Sequence, residues 1–386
     1  MKSHYYYAKQ IVLANAVIDH AYLKVEDGRF KGISLEPPKD GQIVDYSQAT
    51  ISAGFVDTHI HGYNQWDVMD NDSRGLEVIS RGILSGGVTS WLATTLTSST
   101  LALNEVCQTI GQHYQKVSGA RIQGIFLEGP YFTEKYKGAQ NPAYMSDPSI
   151  DQLDHWQELS GGMIKKIAIA PERQGVEDFI QAARNMGIYV ALGHSDASYD
   201  QAKVAVDQGA SIFVHTFNGM SGFHHREPGM VGASLTLDNC YAELIADGYH
   251  CHPVAAGIVS GLRGINQTVL ITDCMRAGGI GDGFSKLGEF DVIVKDGQAR
   301  LVDGGNLAGS VLKLIEGVQH MVQWGHVSLA DGLRMASIVP AMSVGIDDRC
   351  GQIKEGRQAD FIVVDDQANL LATYLGGDLV YEQNLG

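Results

Sequence analysis

The chain has 386 residues, 44% of them hydrophobic, which is ample for a large core and, by length, suggests two to three domains or one barrel with an appendage. Its 28 basic and 44 acidic side chains leave a formal charge of −16, which disfavours nucleic acid and anionic membrane as partners. Five cysteines without a CxxC form neither a disulfide framework nor a zinc ribbon, and no apolar stretch reaches the length of a membrane span or a leader, so a soluble cytoplasmic protein is the expectation.

The N-terminal piece reads as strands broken by turns. AYLKVEDGRFKGIS sets Asp27-Gly28 between two alternating runs, a hairpin signature. The YYY run near the start reads as strand packing. A different rhythm follows, with eight apolar, strand-like runs: AGFVDTHIHG, VTSWLATT, IQGIFLEGP, KKIAIAPE, YVALGHSD, SIFVHTFNG, AELIADGYH and TVLITDCM. Helix-like segments such as VEDFIQAARNMG and DQAKVAVDQG separate most of them. Eight strand–helix units match a (β/α)8 TIM barrel, which takes ~250 residues and more with insertions. The glycine-rich AGGIGDG after the last run reads as a mobile loop over the barrel mouth. GQIKEGRQADFIVVDD, near the end, carries a glycine turn and then an apolar strand. Neither end makes a sizeable core alone, so the two are expected to pair into one small β-sandwich domain. The expected division is 1–53 and 344–386 for that domain, with the barrel at 54–343.

In a strand, residues i and i+2 share a face, so His59 and His61 in VDTHIHG point together while Ile60 points into packing. In a parallel barrel the C-terminal strand ends carry the chemistry. Glu128, His194, His215, His250 and Asp273 also stand where apolar runs end. Imidazoles and carboxylates gathered on one rim suit a divalent transition metal: zinc, manganese, iron or cobalt. A carboxylate at Glu128 is costly in an apolar strand unless paired or metal-bound. Asp273 can serve as a ligand, as a general base, or as both, taking a proton from a metal-activated water and giving it to a leaving amine. Arg226, in GFHHREPG, reads either as an anion-binding guanidinium or as a solvated surface arginine, and His250 can join the same anion pocket. His4, His113 and His326 read as ordinary histidines. The chain has no GxxxxGK[ST] phosphate loop and no GxSxG serine elbow.

Taken together and in order, VDTHIHG, LEGPY, KGAQNP, LGHSDA, NGM, REPG, IADGYH, TDCM and NLAGS resemble the N-acetylglucosamine-6-phosphate deacetylase family of the amidohydrolase superfamily. The resemblance covers nearly the whole chain. It implies a metal-dependent barrel flanked by a small β domain, and hydrolysis of an acetamido sugar phosphate to acetate and the free amine. It implies one metal on Glu128, His194 and His215 and a second on His59 and His61, with Glu128 between them and Asp273 nearby, so one or two ions per subunit. For the phosphorylated amino sugar it implies Ala139, Gln140, Asn218, Gly219, Arg226, the stretch from Asp247 to His250, and Leu307, Ala308 and Gly309. In relatives the arginine reaches into the neighbouring subunit's site, which implies a homodimer. One departure stands out: several members read KGAHNP, and here Gln140 occupies the histidine's place. It can donate an amide N–H but cannot carry charge. The alternatives on the same scaffold are the galactosamine epimer or another amidohydrolase substrate, and, from a different class, a non-catalytic barrel.

Overall fold

The computed structural model describes residues 3–383. Eight parallel strands form one sheet in chain order: β1 Phe55–Ile60, β2 Val88–Thr94, β3 Arg121–Glu128, β4 Ile164–Ile169, β5 Tyr189–Leu192, β6 Ile212–Phe213, β7 Tyr241–Ile245 and β8 Thr268–Ile271. These are the eight apolar runs of the sequence. The seam between β8 and β1 is closed by backbone bonds: Asp273 N–H donates to His59 O and His61 N–H to Cys274 O, both at 2.8 Å. Successive residues face opposite layers, as a strand requires. Trp91, Ile125, Leu127, Ile167 and Ile169 pack against the helices, whereas Leu92, Phe126 and Ala168 belong to a separate, inner cluster.

Helices return the chain between strands and start on polar caps. Ser99 caps Thr100–His113, and Ser198 with Gln201 forms a capping box on Tyr199–Gln208. Ile79, Cys107, Phe179 and Val259, one from each of four helices, lie in the layer that covers the strands.

The two ends of the chain share a seven-stranded sheet. Its order is Asp378–Glu382, Leu370–Leu375, Phe361–Val364, Gln42–Ala53, His4–Val12, Val17–Glu26 and Arg29–Ser34. The hairpin turn has Asp27 and Gly28 both at positive φ, as a two-residue turn of this hand requires. Phe361 and Phe30 lie on strands four steps apart, which is roughly 19 Å in a flat sheet at a spacing of ~4.8 Å. Their ring centroids are 6.3 Å apart. The sheet therefore rolls over a core of Tyr6, Leu23, Phe30, Ile51, Phe361 and Tyr374, and a bridge between Arg29 and Gln358 joins one edge strand to the segment that leads into Phe361–Val364.

The structure corrects the reading of AGGIGDG. It is a turn whose Gly278 and Gly279 pack so closely on Tyr63 and Asn64 that a Cβ at either position would collide. It leads into a three-stranded antiparallel sheet, Gly283–Leu287, Phe290–Lys295 and Gln298–Leu301. Among the described residues no helix is long and apolar enough to cross a membrane.

Candidate metal centre at the barrel rim

Three potential ligands occupy equivalent places. His194, His215 and Asp273 each lie two residues beyond the last residue of their strand, β5, β6 and β8. All three adopt left-handed backbone, with φ of 45°, 31° and 50°. Such a conformation costs of order 1–3 kcal/mol for a residue with a Cβ and collects at functional sites. Here it turns the side chain inward as the strand ends. Glu128 is the last residue of β3. His59 and His61 sit at the end of β1, whose pairing with β2 shifts register between Asp57 and Ile60.

These six side chains surround one point. Glu128 Oε1 lies 3.2 Å from His59 Nε2, 3.2 Å from His215 Nε2 and 3.5 Å from His194 Nε2. Its other oxygen, Oε2, is 3.4 Å from His61 Nε2, which is 3.2 Å from Asp273 Oδ1. One carboxylate oxygen thus faces His59, His194 and His215, the other faces His61, and His59 stands between the two ends of the cluster. Three overlapping groups have ligand atoms within 4.8 Å of one another: His59, His61 and Glu128; His59, His215 and Asp273; and Glu128, His194 and His215.

The cluster fits a cation on its own chemistry. All six residues are buried, and His59 Nε2 has no hydrogen-bond partner. His194 Nδ1 lies 2.9 Å from Tyr136 O and His215 Nδ1 lies 3.1 Å from Asn218 O, so each imidazole presents Nε2 to the centre. Burial opposes charge on His59, but the carboxylates of Asp273 and Glu128 outweigh it and lift its pKa to about 9. The same balance raises His61 well above its usual value. Burial likewise disfavours ionised Glu128 and Asp273, yet the imidazoles hold Glu128 well below the carboxylate range and Asp273 at about 2. The pocket is a place of strong negative potential that holds positive charge, and its N and O donors are those of zinc-like metals.

A cleft of about 400 Å³ opens over the cluster. Of the substrate residues carried over from the resemblance, Ala139, Gln140, Asn218, Gly219, His250, Leu307 and Gly309 line it. Gly219 has a left-handed φ, and a Cβ there would lie 2.9 Å from His194 Nδ1, so glycine lets the loop close on the ligand. Gln140 is 3% exposed. Its Oε1 accepts from Thr97 N–H at 2.8 Å and its Nε2 donates to Glu128 Oε2 at 2.5 Å. Asp247 stands behind His250, with Oδ2 2.6 Å from Nδ1, and does not line the cleft. Ala308 is buried in an apolar cluster with Leu96, Met275 and Leu287. Arg226 is exposed, outside the cleft, with Nη1 2.8 Å from His225 Nε2.

Three charged residues of this region are absent from the sequence reading. Arg300, on the strand Gln298–Leu301, lines the cleft and is held by Gln298 Oε1 and Gly305 O. Nothing local marks it, because the sheet that carries it was not expected. Glu243 on β7 and Lys166 on β4 form a fully buried ion pair beneath the cluster. Their signal was available: a charged residue within an apolar strand, in AELIA and in IKKIAI.

A parallel barrel with imidazoles and carboxylates converging at its C-terminal rim defines the class as a barrel hydrolase with a metal-ligating centre. The amidohydrolase family profile matches residues 50–380. The chain is 38% identical to the N-acetylglucosamine-6-phosphate deacetylase of Vibrio furnissii, over 92% of this chain and 90% of that one. It is 35% identical to the N-acetylgalactosamine-6-phosphate deacetylase of Escherichia coli O157:H7, over 98% and 99%. A solved mutant of the Mycobacterium smegmatis N-acetyl-D-glucosamine-6-phosphate deacetylase, in complex with N-acetyl-D-glucosamine-6-phosphate, superposes with a TM-score of 0.93 at 27% identity, covering 98% of this chain and all of that one. The chain belongs to the amidohydrolase family and, within it, to the N-acetylglucosamine-6-phosphate deacetylases.

Proposed function

We propose that the chain hydrolyses N-acetyl-D-glucosamine 6-phosphate to D-glucosamine 6-phosphate and acetate. The observation that carries this reading is the convergence of Glu128, His194, His215, His59, His61 and Asp273 under the rim cleft. Glu128, His194 and His215 would hold one divalent ion, and His59 and His61, with Glu128 and Asp273, a second. Zinc, iron, manganese and cobalt all suit these donors. When bound, such an ion supplies Lewis acidity, which acidifies water and polarises a carbonyl oxygen.

The chain's own residues do the rest. Asp273, ionised and facing the cleft, takes a proton from the attacking water. As the C–N bond breaks, Asp273 gives that proton to the departing nitrogen, leaving acetate and a free amine. Gln140 has one amide hydrogen on Glu128 and a second free to donate to the acetyl oxygen. His250, fixed through Nδ1 by Asp247, and Arg300 meet the 6-phosphate at the outer end of the cleft. That remote binding positions the amide.

Arg226 completes the phosphate site of a second copy in a homodimer. Supporting this, the helix Pro253–Arg263 exposes Val254, Ile258 and Leu262 at successive turns (64%, 44% and 61%), and Phe223, near Arg226, is 62% exposed. Five buried free thiols suit a reducing, cytoplasmic setting.

The test is acetate release from the glucosamine and galactosamine 6-phosphate epimers and from unphosphorylated N-acetylglucosamine. The glucosamine epimer is expected to be cleaved fastest and the plain sugar slowest. Faster cleavage of the galactosamine epimer would move the assignment to that substrate.

A further inference from the structure

The four imidazoles of the centre are not held alike. His194 and His215 present Nδ1 to backbone carbonyls, and His61 Nδ1 has no hydrogen-bond partner among the described residues. His59 is tied instead to an acidic side chain: its Nδ1 lies 3.0 Å from Glu243 Oε2. A carboxylate only accepts, so Nδ1 carries a hydrogen and Nε2 is the nitrogen turned to Glu128 and Asp273, where a cation would take the place of its proton. The second oxygen of Glu243 meets Lys166 Nζ, and both side chains are essentially inaccessible to water. Lys166 also lies 3.7 Å from the centroid of the Phe126 ring, and that ring meets the His59 imidazole edge-on at 4.8 Å. A buried ion pair of this kind is rarely favoured over apolar packing for stability alone. The substrate mechanism does not use it.

We propose that Glu243, with its charge paired by Lys166, is a positioning residue that fixes His59 as a metal ligand and sets the affinity of the His59/His61 half of the centre separately from the Glu128/His194/His215 half. The inference rests on reading the cluster as a metal centre. Outer-shell carboxylates that receive a ligand histidine's N–H orient the ring and raise its basicity, and losing them costs about 10–100-fold in metal affinity. Because Glu243 touches only His59 among the histidines and lies on the opposite side of that ring from the centre, its loss acts on one half.

The experiment uses full-length, metal-stripped protein and cobalt(II) alone as the probe. Metal per chain is measured by equilibrium dialysis and elemental analysis across a range of free cobalt. His61→Asn identifies the binding step that belongs to the His59/His61 half. Two double variants then remove the buried charges together: Glu243→Gln with Lys166→Met, which retains an acceptor for His59, and Glu243→Leu with Lys166→Met, which does not. Circular dichroism verifies that both fold, and neither leaves a buried charge unpaired. The expected result is that the leucine double binds about 10–100-fold more weakly than the glutamine double at the step His61→Asn abolishes, with the other step unchanged. Equal isotherms for the two doubles, or equal weakening of both steps, overturn the proposal. Wild type that takes up no cobalt would instead overturn the metal-centre reading beneath it.

Discussion

Asp273 Oδ1 stands 3.2 Å from His61 Nε2, across the seam where the last barrel strand meets the first. Backbone bonds on both sides of the pair close that seam, so the side chain proposed to move protons is anchored by the element that completes the barrel. Asp273→Asn keeps the shape and removes the base. Acetate turnover is expected to fall by about 10²–10⁴-fold, the usual contribution of general acid–base catalysis. The ion held by Glu128, His194 and His215, measured on the same sample, should be retained. Near-normal turnover would take Asp273 out of the proton path.

In the proposed site the phosphate meets Arg300 and His250 in the cleft and Arg226 from the exposed loop of a second copy. Replacing either arginine by alanine removes one charge-assisted contact, worth about 1.5–3 kcal/mol. Each should raise KM for the phosphorylated sugar about 10-fold or more and leave the plain sugar unaffected. Equal losses on both sugars would mean that the residue concerned does not read phosphate.

Much of this arrangement is legible in the sequence because strand ends carry it. HxH, LEGP, LGHSD, FVHT and LITD each set an imidazole or carboxylate where an apolar run ends, and the parallel barrel puts all those ends on one rim. The backbone details are not legible. Left-handed φ at His194, His215 and Asp273 follows from how each strand exits, not from the residue type. Glu243 and Lys166 escaped because an apolar run with one charge still reads as a strand, and their pairing joins positions 77 residues apart. Arg300 is not legible because AGGIGDG reads as a mobile loop over the barrel mouth, which gives no sign of the sheet that follows it. Arg226 and Ala308 were placed by motif, and motif position does not say which way a side chain faces.

Gln140 bridges Thr97 and Glu128 through both ends of its amide. Gln140→Ala removes a preorganised donor and should lower kcat by about 10²-fold or more, with a smaller change in KM. Gln140→His, which restores a donor, should retain more activity than the alanine variant. If alanine leaves kcat unchanged, the acetyl oxygen is polarised without Gln140.

Metal removal should make stability depend on pH. In the metal-free centre burial lowers the His59 pKa, but Asp273 and Glu128 raise it above its usual value of 6.5 to about 9. A folded-state pKa above the unfolded one gives stability that is complete below the unfolded value and lost as pH rises through the folded value. Between about pH 7 and about pH 10 the stripped protein should therefore lose Tm more steeply than the zinc-loaded protein, where the cation replaces the protons. Parallel Tm curves would contradict this.

A charge on the apolar helix face tests the proposed dimer. Ile258→Asp, 44% exposed in the single chain, should shift the protein to monomer in sedimentation. The monomer should show a raised KM for the phosphorylated sugar, the same outcome expected of Arg226→Ala. A dimer unaffected by this change would place the interface elsewhere.

The most direct measurement titrates the metal-stripped protein with zinc and follows bound metal and acetate release from N-acetylglucosamine 6-phosphate in the same sample. The account predicts that stripped protein is inactive and that activity returns in proportion to metal bound, but not in a Glu128→Ala variant, which lacks the carboxylate shared by both halves. Full activity in protein free of metal, or full recovery without Glu128, would contradict it.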